Sequence, residues 1–226
     1  MIKYCVHIAD IHLRTLQRHE EYKQVFTTLF SDLKNVLKDY NRDEVRIVIA
    51  GDVVHQKLTV SNELTLMIAW LFTKLEEIAP VIVIAGNHDA VLTNNDRLDS
   101  ITPVVKLMDK ANINYFKDSK CYLDDNIVWC VYSVFEDNKR PDIESARLEF
   151  GDDKTYIGLF HGPLIGLRTD LGFEIEHGDE TNIFEGCDMV MCGDIHIMGG
   201  FNHIQKMEIF EEDLEKYLKM GWEIDN

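Results

Sequence analysis

Apolar residues fall in short, nearly unbroken runs along this chain, and five of those runs stop abruptly at polar groups. Tyr4 to Ala9 runs into Asp10-Ile11-His12, and Val45 to Ala50 into Gly51-Asp52. Val81 to Ala85 runs into Gly86-Asn87-His88-Asp89, Tyr156 to Phe160 into His161-Gly162, and Met189 to Cys192 into Gly193-Asp194-Ile195-His196. Runs of four to six apolar residues bounded by glycine and polar breaks predict buried strands. Between the first two strands, Tyr22, Val25, Phe26, Leu29, Leu33, Val36 and Leu37 recur at three- and four-residue steps. That spacing predicts a helix from about Arg18 to Tyr40 with one apolar face. A second helix is expected from about Ser61 to Ile78, stopping ahead of Pro80. The first ninety residues therefore read as βαβαβ, which implies parallel strands with right-handed crossovers.

The pattern changes after Asp89. A polar stretch leads to a short helix ending near Ala111, and Cys121–Leu123 and Ile127–Val134 flank Asp124-Asp125-Asn126 as a hairpin. A short segment at 143–150 precedes the strand that ends at His161. The glycine-containing run from Gly162 to Asn182 has no clean period and is expected to be a loop over a site. A helix is expected from about Glu211 to Met220, so that residues 1–204 form one domain and 205–226 a short tail. No run is long enough to cross a bilayer and no charged-then-apolar leader opens the chain, so no membrane role and a cytoplasmic location are expected.

Charge and thiols change this picture little. The formal net charge of −17 is unhelpful for a protein that grips nucleic acid, because phosphate contacts favour a basic footprint. Bound divalent cations or a second subunit could supply positive potential. Five cysteines without CxxC spacing are read as buried reduced thiols.

The polar strand ends carry the chemistry. A single Asp-x-His triplet is common by chance. Two of them, with Gly51-Asp52, Gly86-Asn87-His88-Asp89 and a strand-terminal His161, point instead to one metal centre at the carboxyl ends of the strands. If the backbone stays extended, residues two apart face the same way, so Asp10 with His12 and Asp194 with His196 would each offer two ligands. The remaining histidines have plainer readings. His7 is expected to be a packed core residue, and His19, His177 and His203 to be surface or loop residues. Arg14 and Arg168 lie near ligand loops but are read as solvated.

Taken in order, Asp10-x-His12, Gly51-Asp52, Gly86-Asn87-His88-Asp89, His161 and Gly193-x-x-His196 resemble the motifs of the calcineurin-like metallophosphoesterase superfamily. Within it, the chain looks most like the SbcD-type nuclease subunits of DNA double-strand-break repair and their bacteriophage relatives. His7-Ile8-Ala9-Asp10-Ile11-His12-Leu13, the histidine at His55 in Gly51-Asp52-Val53-Val54-His55, and Asn95-Asp96-Arg97-Leu98-Asp99-Ser100 carry that closer likeness. The resemblance implies an α/β fold, a four-layer α/β/β/α sandwich, and hydrolysis of DNA phosphodiesters with two divalent cations, manganese in this branch. It implies that Asp10, His12 and His196 hold one ion, that Asn87, His161 and Asp194 hold the other, and that Asp52 is shared. His88 would face the leaving oxygen and His55 would help place the substrate backbone. The implied partners are DNA, a coiled-coil ATPase subunit of the SMC-like kind, and a second copy of the chain.

Two departures from the pattern alter these expectations. Asp194 stands where the superfamily usually has histidine, which adds a third carboxylate to the ligand set. The second sheet is expected to be shortened at its C-terminal end, with no capping domain after His196. A small-molecule phosphodiesterase or phosphatase on the same ions, or a shortened partner protein without turnover, are the rival readings. The acidic charge favours the former, and His55 opposes it.

Overall fold

A computed structural model describes residues 1–57, 59–94, 97–136, 139–167 and 174–194. The expected boundary at 204, the helix at 211–220, the shortened end of the second sheet, His196, His203, Arg168 and part of the 95–100 stretch lie outside these residues.

Strands β1 (Tyr4–Ile8), β2 (Val45–Ala50), β3 (Val81–Ile84) and β4 (Ile113–Tyr115) form one parallel sheet whose spatial order follows the chain. Helices α1 (His19–Val36), α2 (Asn62–Glu76) and α3 (Thr102–Met108) connect them. A sheet that always advances in one direction through crossovers of one hand puts all its helices on one face. Phe26, Leu29, Phe30 and Leu33 of α1 and Leu64, Ile68, Leu71 and Leu75 of α2 pack there against Ile47, Ile49, Val81 and Val83.

The other face of that sheet is also apolar, because alternate residues Val48, Ala50, Ile82 and Ile84 point away from the helices. They meet a second sheet of β5 (Cys121–Asp124), β6 (Ile127–Tyr132), β7 (Thr155–His161) and β8 (Met189–Gly193). The β5–β6 hairpin is antiparallel, whereas β6, β7 and β8 are mutually parallel. Trp129, Val131, Ile157, Leu159 and Met191 fill the gap between the sheets. Helix α4 (Ile143–Phe150) covers the outer face, with Ile143 and Ala146 against Val128, Tyr132 and Tyr156. The result is the expected α/β/β/α sandwich. Among the described residues no helix is long and apolar enough to cross a membrane.

An ion pair of Arg46 and Asp124 crosses the inter-sheet gap. Arg46 shares the inward face of β2 with Val48 and Ala50, and donates through Nε and an Nη to both oxygens of Asp124, each at 2.7 Å. Trp129 Nε1 donates to the same carboxylate at 3.1 Å.

Two elements go beyond the sequence expectation. Strand β4 is new: it has only three residues, of which Ile113 alone is buried, too few to raise a periodic signal. The segment 143–150 is a helix, capped by the Asp142 side chain accepting from the Ser145 amide at 2.9 Å.

Candidate metal centre

Strand β1 ends at Ile8 and strand β2 at Ala50, and beyond them the two chains stay together as an irregular ladder. The Asp10 amide donates to the Gly51 carbonyl at 3.2 Å, His12 to Asp52 at 2.9 Å, Leu13 to Val53 at 2.9 Å, and His55 back to Leu13 at 3.0 Å. Asp10 and His12 are therefore not carried on an extended strand, as the two-residue spacing suggested. Both have left-handed backbone, φ 54° and 49°, as do Asp52 at 52° and Asp194 at 67°. For residues other than glycine that region is costly, and such strain gathers at functional sites. Asp10 and Asp52 stand two residues past the ends of β1 and β2, His12 four past β1, and Asp194 one past β8.

Asp52 sits at the middle. It is 1% exposed. Its Oδ1 accepts from the His88 amide at 2.8 Å and lies 3.3 Å from His161 Nε2, while Oδ2 lies 3.6 Å from His12 Nε2. Strand alternation explains how His161 arrives: it shares the inward face of β7 with Ile157 and Leu159, and so points at the first sheet. Its Nδ1 donates to the Ala50 carbonyl at 2.8 Å, which fixes the tautomer and leaves Nε2 facing Asp52. Three glycines make room for the ring. A Cβ at Gly51, Gly86 or Gly193 would collide with His161, and Gly51 also has φ 88°.

Asp10, Asp52 and His161 bring their ligand atoms within 4.8 Å of one another. Asp194 joins through its backbone, its amide donating to both Asp10 oxygens at 3.0 and 3.2 Å. Asn87 is half-buried at the end of the loop from β3. Among the described residues, Asp52 Oδ2, Asn87 Oδ1 and His161 Nε2 are buried without a hydrogen-bond partner. Buried polar atoms are nearly always satisfied; Asp52 adjoins His161, and His161 and Asn87 line one cavity, so these atoms fit the binding of a cation. Two oxygens and an imidazole nitrogen, all electron-pair donors, suit divalent cations.

Burial disfavours charge on both Asp52 and His161, yet their mutual attraction outweighs it: the carboxyl pKa falls below its ordinary value and the imidazole is pushed up to about 9. A second cluster lies beside the first. His12, His55 and His88 also bring ring nitrogens within 4.8 Å of one another, and His88 Nδ1 donates to the His55 carbonyl at 2.8 Å.

Asp89, the fourth residue of the Gly86 motif, was given no role by the sequence. It is fully buried and accepts from the Val54 amide at 2.9 Å and the Gly86 amide at 2.8 Å. Burial pushes its carboxyl up to about 7 against the pull of those donors. It joins the loop after β2 to the loop after β3 and so positions Asp52 relative to Asn87. Of the plainer readings, His7 has a buried Nε2 and a pKa lowered to about 4 by burial, as a packed residue should. His177 is exposed, and His19 Nε2 bonds the Arg14 carbonyl at 2.8 Å.

A family model for the calcineurin-like phosphoesterase domain matches residues 5–207. An uncharacterized protein of Acanthamoeba polyphaga mimivirus is 39% identical over 201 residues, a match covering 86% of this chain and 15% of that protein. The chain thus spans less than a sixth of that relative's length. The crystal structure of Pseudomonas putida nuclease MPE aligns with 74% of this chain and 65% of its own, at a TM-score of 0.35 and 14% identity.

Proposed function

The chain belongs to the calcineurin-like phosphoesterase family, and on that premise we propose that it hydrolyses phosphodiesters of DNA with two divalent cations, manganese being the working metal. The observation that carries this reading is the meeting of Asp10, Asp52 and His161, whose ligand atoms lie within 4.8 Å of one another, with Asp52 Oδ2 and His161 Nε2 buried and without hydrogen-bond partners among the described residues. In this reading Asp10 and His12 hold one ion, with His196 beyond the described residues as a further ligand. Asn87, His161 and Asp194 hold the other, and Asp52 is shared. Such a pair, when bound, clamps the phosphate and activates a water for in-line attack.

The protein's own part is to preset these groups. Asp52 is fixed before any ion binds, by the His88 amide and by His161. The Asp194 amide holds the Asp10 carboxylate, so the left-handed turn at Asp194 contributes whatever its side chain does. His88 is the group proposed to face the leaving oxygen. Because the His55 carbonyl accepts its Nδ1–H in either charge state, Nε2 can gain or give a proton without the ring turning over. His55 stands beside it, ring centroids 5.7 Å apart, where it can help hold the substrate backbone. A coiled-coil ATPase, and a second copy of the chain, belong to this proposal as partners.

One observation favours a second reading. A formal charge of −17 repels a polyanion, so a small phosphodiester is the alternative substrate. Cleavage of linear duplex, single-stranded DNA and a chromogenic phosphodiester, each with manganese and with chelator, separates the two. Preference for DNA supports the proposal, and turnover of the chromogenic ester alone supports the alternative. Two bound ions with no hydrolysis of any of the three would leave a non-catalytic partner protein.

A further inference from the structure

Three of the five cysteines meet on the outer face of the second sheet, away from the candidate metal centre. Cys121 on β5 lies directly opposite Cys130 on β6, with sulfurs 3.6 Å apart. Their place in the ladder is informative. The Val131 amide donates to the Lys120 carbonyl at 3.0 Å, which makes Lys120 and Val131 a hydrogen-bonded pair. Antiparallel pairs alternate, so Cys121 and Cys130 form the adjacent non-hydrogen-bonded pair, where Cα atoms stand about 4.5 Å apart and side chains are closest. That separation lies within the range a disulfide spans.

The third thiol is admitted by a glycine. Gly158 pairs with Cys130 from the other side, and a Cβ there would touch Cys187 Sγ at 3.4 Å. Cys187 also lies 3.8 Å from the Tyr132 hydroxyl, which itself donates to the Ile183 carbonyl at 2.8 Å. Access is graded across the cluster: Cys130 is fully buried, whereas Cys121 and Cys187 are half-buried.

We propose that Cys121 and Cys130 are a dithiol modification site that exchanges with low-molecular-weight disulfides of the glutathione class, closing a reversible cross-strand disulfide. Cys121 attacks one sulfur of the incoming disulfide, forms a mixed disulfide and releases a thiolate that takes up the Cys121 proton. Cys130 then attacks the Cys121 sulfur, and its proton leaves with the second thiol. Two protein thiols are oxidised and one disulfide is reduced to two thiols, so no further oxidant is needed. Hydrogen bonding between the two sulfurs lowers the Cys121 pKa and raises that of Cys130, which suits the first as attacker and the second as resolver.

The test uses the whole chain. It is equilibrated with glutathione and glutathione disulfide over a series of ratios, quenched with acid, unfolded and alkylated with iodoacetamide in denaturant so that buried thiols also react, and analysed by intact mass and peptide mapping. Two of the five thiols should escape alkylation together, map to a Cys121–Cys130 link, and return with excess glutathione. Cys130→Ser should instead accumulate glutathione on Cys121, and Cys187→Ser should still form the link. Full alkylation of the unsubstituted chain at every ratio would overturn the proposal. So would a link through Cys187, or a mixed disulfide on Cys121 that never resolves.

Discussion

His161 Nε2 and Asp52 Oδ1 lie 3.3 Å apart, joining the second sheet to the first at the point where both run out of strand. The pair is buried, and Asp52 Oδ2 has no hydrogen-bond partner among the described residues. Ions that bind here should therefore stabilise the folded chain. At manganese concentrations about 100 times Kd the gain is roughly 2.7 kcal/mol, or about 5–10 °C in Tm for a chain of this size. Asp52→Asn should abolish both the Tm rise and the uptake of metal. A manganese-dependent rise that survives the substitution would remove Asp52 from the site.

The glycine cradle predicts a separate effect. Gly51→Ala drives a methyl group into the His161 ring and into the Gly86 backbone, at a φ of 88°. Overpacking and the left-handed backbone together should cost about 3 kcal/mol, read as a lower urea midpoint at unchanged slope. A loss below about 1 kcal/mol would mean that the ring has room to move.

Asp99 gives the pH prediction. Its carboxylate accepts from the Ile101 and Thr102 amides and from the Thr102 hydroxyl at the start of α3, and Lys117 Nζ donates to it at 2.7 Å. Burial opposes its charge, but Lys117 and Thr102 outweigh that and hold its pKa below the ordinary carboxylate value. A depressed carboxyl stabilises the fold above its unfolded pKa of about 4, and the benefit is lost as pH falls through the folded value. Asp99→Asn should cost about 3 kcal/mol near pH 7 and flatten the acid side of the stability profile. Urea denaturation of both proteins at descending pH checks this; parallel profiles would show that Asp99 is not the titrating group.

At Asp194 the backbone and the side chain can be separated. Asp194→His keeps the amide that holds Asp10, and histidine is among the residues that tolerate left-handed backbone. It removes one negative charge, so in the proposed assignment two divalent ions would keep a net +2 against two carboxylates rather than +1 against three. Metal should be held less firmly, while the attacking water becomes more acidic. The acid limb of the pH-rate profile should move to lower pH. An unmoved or raised limb would contradict this charge balance.

The strand ends were legible in the sequence because burial writes itself as hydrophobic runs, and both Gly51-Asp52 and His161 stood where those runs stopped. The backbone of Asp10 and His12 was not, because the two-residue spacing fits an extended strand as readily as a left-handed turn. Asp89 looked like another polar motif residue, since nothing local tells a strut between two loops from a ligand. Strand β4 escaped because pairing with β3, rather than its own pattern, makes it a strand. The meeting of Cys121, Cys130 and Cys187 depends on register across β5, β6 and β7 and on the turn that leads into β8, which periodicity does not report.

The groups proposed to hold metal are divided between the two sheets: Asp10, His12, Asp52 and Asn87 come from the first, and His161 and Asp194 from the second. A ribosome must therefore finish nearly all of the described chain before the centre can close. A nascent polypeptide carrying only the leading sheet has Asp10, His12, Asp52 and Asn87 but neither His161 nor Asp194, so the proposed ligand set is incomplete until the second sheet pairs with it.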